Sequence, residues 1–158
     1  QKDGSARVIT QFLGPIVRGE PIKLVDGGNQ RRSFTYVDDG IDALMKIIEN
    51  PDRIASGKIY NVGNPKNNFS IKELAGMMIA MALTYPEYRE QAGKVRLLAT
   101  TSAKYYGEGY QDMQHRVPQI DDTRRDLGWN PRVNMRQALK RIYDAYRHRI
   151  SEARRLVS

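Results

Sequence analysis

IKLVDGGNQRRSFTYVDD, residues 22 to 39, carries a strand, a glycine turn, paired arginines and a helix start in direct succession. Ile22 to Val25 is a short β-prone run. Asp26-Gly27-Gly28 follows as a tight turn, where adjacent glycines allow positive φ and a close approach of backbone to a ligand. Arg31 and Arg32 come next, and a guanidinium just beyond such a turn is a planar, permanently charged fork suited to phosphate oxygens. A second β-rich run is expected from Arg32 to Val37. Asp38 and Asp39 then open an amphipathic helix expected over Gly40 to Glu49, as acidic residues do at a helix N-terminus. The pattern fits a site for a phosphorylated small molecule. It fits equally well a hairpin whose arginines are merely solvated, and local spacing does not separate the two.

The rest of the composition narrows the class. With 158 residues the chain is long enough for a domain with a true core, and 40% of it is apolar. No run of about eighteen apolar residues occurs, so no membrane-spanning helix is expected. No basic segment followed by an apolar stretch opens the chain, so no signal peptide is expected. Cysteine is absent, which excludes disulfides and thiolate metal sites and fits a cytoplasmic protein. His115 and His148 are the only histidines, far apart in sequence, so no metal site is expected.

The net charge of +8 raises the question of nucleic acid. Between Arg132 and Arg155 lie eight Arg or Lys residues against Asp144 and Glu152, whereas the remaining chain carries eighteen basic and sixteen acidic residues. The excess therefore belongs to the last helix and its tail. Tyr143 and Tyr146 are the only aromatics interleaved with it, and with Leu139 and Ile142 they match a helix face packed on a core. A solvated basic face is favoured over a nucleic-acid site.

Along the chain, helical spacing of Val8, Ile9, Phe12, Leu13, Ile16 and Val17 predicts a first helix. Ser5 is its expected cap, Pro15 a kink or weak point and Gly19 its end. Lys58 to Val62, KIYNV, reads as a strand. Ser70 and Glu73 form a capping box ahead of an apolar helix over Leu74 to Leu83, whose methionines suit core filling. Lys94 to Ala99 reads as a further strand. Ala103 to Pro118, rich in Tyr, Gly and polar residues, reads as a loop. Asp121 or Asp122 starts a short helix ending at Leu127-Gly128-Trp129, and Asn134 with Gln137 boxes the final helix. Helices alternate with strands too short for an independent parallel sheet, as expected of a ligand-closing portion of a larger α/β fold. The organisation expected is one substrate-binding portion over 1–150 and a basic tail over 151–158.

The loop holds Tyr110, Asp112 and Arg116 in the run GEGYQDMQHRVP, residues 107 to 118. Tyr110 can stack or donate a hydrogen bond, and Arg116 can meet a carboxylate or phosphate. The plain alternative is a surface loop in which Arg116 pairs with Asp112.

IKLVDGGNQRRSFTYVDDGIDAL, KIYNVGNPKNNFSIKELA and PQIDDTRRDLGWNPRVNMRQALKRI together resemble the C-terminal part of the extended short-chain dehydrogenase/reductase superfamily. This superfamily contains the nucleotide-sugar epimerases, dehydratases and decarboxylases. The likeness covers residues 5 to 147. YYGEGYQDMQHRVPQI, residues 105 to 120, stands where most relatives carry a shorter Arg-x-Gly-Asp element. It is similar to the NAD-dependent UDP-glucuronic acid decarboxylases of the polymyxin-resistance, or aminoarabinose, pathway of lipid A modification.

The resemblance implies an α/β, Rossmann-type fold, mostly helical here with short strands. It implies a UDP-binding segment of Lys23, Leu24, Val25, Asp26, Gly27, Gly28, Asn29, Gln30, Arg31 and Arg32, with Arg32 the main diphosphate contact. Tyr110 falls on a substrate-contacting tyrosine and Arg116 on an arginine proposed as the general acid. In such enzymes NAD⁺ takes hydride from C4 of the glucuronate, and the resulting β-keto acid loses CO₂. A cation beside the enolate stabilises its charge; arginine is a poor proton donor, so an electrostatic role is expected before a proton-transfer one.

The chain departs from the family in lacking a Gly-rich dinucleotide fingerprint and any Tyr-x-x-x-Lys pair. It is therefore expected to be the substrate-binding part, inactive alone, with NAD and the family's catalytic glutamate belonging to an N-terminal half outside it. The complete protein is expected to be a homo-oligomer acting on UDP-glucuronate or a related UDP-sugar. Another epimerase, a dehydratase or a UDP-xylose synthase is the alternative within the superfamily, and a basic nucleic-acid-binding module the alternative outside it.

Overall fold

A computed structural model of the chain describes residues 7–101 and 115–156. The described elements are α1 (Val8–Arg18), β1 (Ile22–Val25), β2 (Arg31–Ser33), α2 (Val37–Glu49), β3 (Asn68–Ser70), α3 (Ile71–Leu83), α4 (Pro86–Ala92), β4 (Leu97–Thr100), α5 (Asp121–Leu127), α6 (Met135–Tyr146) and α7 (Ile150–Arg154), with 3-10 turns at Asp26–Gly28 and Pro51–Arg53. Contacts divide the chain into two compact units, one of residues 1–29, 70–112 and 139–158, the other of residues 30–69 and 113–138. Helix α6 begins in the second and ends in the first.

In the first unit β1 and β4 pair in parallel, with Ile22 opposite Leu97 and Val25 opposite Thr100. Alternation sends Ile22 and Leu24 into the core and Lys23 to solvent. Leu13, Ile16, Leu74, Met78, Tyr88 and Tyr143 are among the buried side chains there, so the methionine and tyrosine faces of α3 and α6 do pack as core. The three rings of Tyr85, Tyr88 and Tyr143 lie within 5.2–5.8 Å of one another. Each hydroxyl is satisfied: Tyr143 donates to the Met78 carbonyl at 3.0 Å, Tyr88 to the Tyr143 carbonyl at 3.0 Å and Tyr85 to Asp144 at 2.8 Å.

Helix α1 runs through Pro15 to Arg18, and Gly19 ends it as expected. A buried proline costs one backbone bond, which the apolar face around it offsets. Gly19, at φ +75°, closes the helix with the Glu20 amide reaching back to the Pro15 carbonyl at 2.9 Å. The expected cap, Ser5, lies outside the described residues. The expected basic tail begins within α7: Ala153 is buried, and Arg18 donates to the carbonyls of Arg154 and Leu156, each at 2.8 Å. Helix α3 ends at Leu83 as expected, but helix α4 was not expected; Pro86 occupies a first-turn position of it, where its missing N–H costs nothing.

In the second unit Trp129, Leu127, Ile120, Ala43 and Ala55 form the core, with Ile47 and Tyr60 packed against it. The β-run expected from Arg32 to Val37 is cut short: β2 ends at Ser33 and Val37 already belongs to α2. The reason lies in Asp39. It is buried and does not cap its own helix. Its carboxylate accepts the amides of Arg132 and Val133, both at 3.0 Å, and its carbonyl accepts the Trp129 indole N–H at 2.9 Å. Two buried asparagines extend this clamp, Asn64 and Asn67 both donating to the Val133 carbonyl at 3.2 and 3.0 Å. Asp126 accepts from Arg125 and Lys58, each at 2.8 Å, and from Tyr60 at 3.1 Å, bonds that hold its carboxyl well below the usual range.

KIYNV is not a strand. Among the described residues the amides of Ile59, Tyr60, Asn61 and Val62 donate no hydrogen bond, and Ile59 is 95% exposed. Helix α2 is apolar on two faces. Ala43 and Ile47 face the core, while Val37, Ile41, Leu44, Met45 and Ile48 form an exposed stripe at helical spacing.

Candidate functional site

The expected binding segment runs from the first unit into the second, and each part is described in turn. In the first unit the glycine turn is real. Asp26, Gly27 and Gly28 take φ values of +47°, +73° and +71°. The Asn29 side chain closes the turn on the Asp26 carbonyl at 3.2 Å. Gly28 is buried, and a Cβ added there would come within 3.0 Å of the Lys72 backbone nitrogen and 3.2 Å of its Cβ, in the first turn of α3. Gly28 is thus a close-packing glycine. Gly27 stands more openly, its nearest atom being Asn29 Nδ2 at 3.4 Å. Lys23, Asp26 and Asn29 are exposed, Leu24 is buried and Val25 half-buried.

This geometry does not fit the diphosphate of a dinucleotide. Such a ligand wants a strand, a glycine loop and then a helix N-terminus. Here the turn leads into another strand, and Gly28 itself packs on the first turn of α3. The Asp26–Gly28 turn is therefore not built as a dinucleotide cradle.

In the second unit Gln30 is buried and the two arginines that follow it differ in role. Arg31 bridges to β3, its Nε donating to Asn68 Oδ1 at 2.8 Å and its Nη2 to the Asn68 carbonyl at 2.7 Å. Arg32 donates Nη1 to the Arg31 carbonyl at 2.8 Å. The Asn68 side-chain nitrogen donates to Ser33 Oγ at 3.2 Å, and Ser33 Oγ donates to the carbonyl of Arg116 at 3.2 Å. The fold thereby brings Arg116, 83 residues on from Ser33, alongside the strand that carries Arg32. Arg116 is exposed. The segment after it is fixed at two further points. Pro118 packs on the buried Gly63, where a Cβ would come within 2.5 Å of its ring, and Asn61 donates to the Gln119 carbonyl at 3.0 Å. Tyr110 and Asp112 lie outside the described residues.

Ser33 and Asn68 were not singled out by the sequence. The one available signal was the strand period of two, which puts Ser33 on the same face as Arg31.

Residues 1–63 match the NAD dependent epimerase/dehydratase family. The PbgP3 protein of Burkholderia pseudomallei is 53% identical over 99% of this chain and superposes with a TM-score of 0.84. The UDP-glucose 4-epimerase of Thermotoga maritima, solved with UDP-glucose, is 19% identical over 95% of the chain with a TM-score of 0.68. WbmF of Bordetella bronchiseptica, solved with NAD⁺ and UDP, is 22% identical over 94% of the chain with a TM-score of 0.62. The chain spans 43%, 42% and 40% of those three proteins. Its architecture is that of a portion of the extended short-chain dehydrogenase/reductase fold, mostly helical with short strands. Among the described residues no helix is long and apolar enough to cross a membrane.

Proposed function

We propose that this chain, a portion of a protein of the NAD dependent epimerase/dehydratase family, forms the UDP-sugar-binding part of a UDP-glucuronate decarboxylase serving lipid A aminoarabinose modification. The observation that carries the reading is the Ser33–Arg116 hydrogen bond, because it sets the loop arginine beside the strand of Arg32. In this reading the segment from Lys23 to Arg32 holds the UDP moiety, with Arg32 on the diphosphate. Arg116 and Tyr110 face the sugar. Oxidation of the sugar is left to the dinucleotide-binding part of the protein, outside this chain, which also holds NAD.

The chemistry left to these residues is loss of CO₂ from a β-keto acid. The C–C bond to the carboxylate breaks, its electron pair moves into the adjacent ketone, and an enolate forms. The Arg116 guanidinium is a permanent cation, so it lowers the energy of that developing charge without needing to be pre-charged. Two features support a larger parent. Helix α2 shows an apolar outer stripe, and among the described residues the amides of residues 59–62 donate no hydrogen bond. A helix apolar on two sides fits between layers, and a run of unpaired backbone groups can take a partner from another segment. We assign the cover of both to the rest of the parent chain, since this chain spans only 43% of PbgP3.

The test is CO₂ release and UDP-glucuronate binding by the complete protein. Arg32→Ala is expected to weaken UDP-sugar binding by about 1.5–3 kcal/mol, the range for charge-assisted hydrogen bonds. Arg116→Met is expected to lower kcat by roughly 10²–10³ with binding retained, because the enolate charge exists only along the reaction path. A UDP-sugar product that keeps its carboxyl group would replace the decarboxylase reading with an epimerase or dehydratase.

A further inference from the structure

We infer that Arg31, Asn68 and Ser33 form a one-way hydrogen-bond chain that positions Arg116, making Ser33 and Asn68 positioning residues for the reaction. The inference rests on the role given to Arg116 above. Its direction follows from donor counting. A guanidinium only donates, so Arg31 can meet only the acceptors of Asn68, and it takes both: the side-chain oxygen at 2.8 Å and the main-chain oxygen at 2.7 Å. This fixes the amide of Asn68, because a flipped amide would set NH₂ against the Arg31 Nε–H. The Asn68 nitrogen is left facing Ser33 Oγ at 3.2 Å, and it too can only donate. Ser33 must then accept from Asn68, and its single proton points to the remaining neighbour, the Arg116 carbonyl at 3.2 Å. The rotor of one hydroxyl is thus set from a cation two residues earlier on the same face of β2.

Segment 116–119 is also held by Pro118 on Gly63 and by Gln119 on Asn61. Those two anchors lie beyond Arg116. Ser33 bonds to the main chain of Arg116 itself, the backbone from which the guanidinium reaches. A guanidinium displaced by about 1 Å costs on the order of 10²-fold in rate while leaving distant binding contacts intact.

Four variants of the complete protein test this: Ser33→Ala, Ser33→Thr, Asn68→Asp and Arg116→Met. Ser33→Ala is expected to lower kcat by roughly 10–100-fold with UDP affinity within about twofold of wild type. Ser33→Thr keeps the hydroxyl and is expected to recover most of that loss. Asn68→Asp is the sharper probe. It keeps the bonds from Arg31 but offers Ser33 only acceptors, so the hydroxyl turns round and releases Arg116. Its kcat is expected to fall as in Ser33→Ala, although the ion pair with Arg31 holds the fold. Hydrogen exchange should quicken in segment 115–119 in both. Wild-type kcat in Ser33→Ala or Asn68→Asp, alongside a large loss in Arg116→Met, overturns the chain of bonds and leaves the proposed function standing. Equal losses in Ser33→Ala and Ser33→Thr overturn it too, since the hydroxyl is then irrelevant. Wild-type kcat in Arg116→Met refutes the functional reading itself. If Ser33→Ala fails to fold, Asn68→Asp carries the decision.

Discussion

Replacing Asp39 tests the clamp that ends β2 early and starts α2. The carboxylate accepts two amides at 3.0 Å, and Val133, the owner of one of them, is only 6% exposed. In Asp39→Ala the Val133 amide is left buried without an acceptor, a loss of about 1.5–3 kcal/mol for a charge-assisted bond. The Arg132 amide belongs to an exposed residue, so water can replace the lost acceptor and the added cost is up to about 1 kcal/mol. The total expected is about 1.5–4 kcal/mol. Trp129, the single tryptophan, reports on this unit directly. Its indole bonds to the Asp39 main-chain carbonyl, which the substitution leaves in place. Urea unfolding of the chain followed by tryptophan emission should show the midpoint falling by about 0.75–2 M, taking an m-value of about 2 kcal/mol/M. Asp39→Asn keeps one acceptor but turns an NH₂ toward the other amide, so it should fall between wild type and alanine. A midpoint within about 0.3 M of wild type in Asp39→Ala, with native emission before the transition, would refute the clamp.

Gly28→Ala should destabilise more than Gly27→Ala. Both sit near φ +70°, but only at Gly28 does the new methyl meet backbone, at 3.0 Å from Lys72 N. The excess should be about 1–3 kcal/mol by circular-dichroism melting, and equal costs would mean that the turn yields without strain. In alkali, burial pushes the Tyr85 and Tyr88 hydroxyls up to about 12. Neutral phenol is the folded form, so this contribution is intact below the ordinary value near 10 and lost as pH rises from 10 to about 12. Burial pushes Tyr143 up as well, so absorbance of tyrosinate should show three phenols that ionise only as the first unit unfolds. In acid, Asp126 behaves in the opposite sense. Arg125 and then Lys58 hold its carboxyl low, so its contribution is present above the ordinary carboxylate range and disappears as pH falls through its lowered value. Asp126→Asn should flatten the decline in stability on acidification, measured with the same tryptophan probe.

Local chemistry was legible wherever one residue satisfies another a few positions away. Ser70 and Glu73 exchange both bonds of the capping box, at 3.0 and 2.7 Å, and Asn134 and Gln137 do the same at 2.9 and 3.0 Å. Gly19 and Gly128 end their helices with positive φ as expected. Readings failed where a partner far along the chain decides. Thr35, Tyr36 and Val37 are β-prone, yet Asp39 is bound by residues 132 and 133, and that contact favours the helix. KIYNV has strand propensity, but a strand needs a ladder, and none forms there among the described residues.

The site shows the same division within three residues. Arg31 and Arg32 are chemically identical and adjacent, and no spacing rule says which one contacts a ligand. The pleat separates them. Residues two apart share a face, so Arg31 and Ser33 meet the same Asn68 on β3, whereas Arg32 points the other way. Substitution should expose the difference. Losing Arg31 removes the origin of the bonds that reach Arg116, so Arg31→Met should act mainly on kcat and on the exchange of segment 115–119. Losing Arg32 should act on UDP affinity. If both substitutions weakened UDP binding alike and left kcat unchanged, the two arginines would form one diphosphate clamp, and Asn68 would be only the place where one of them rests in the absence of ligand.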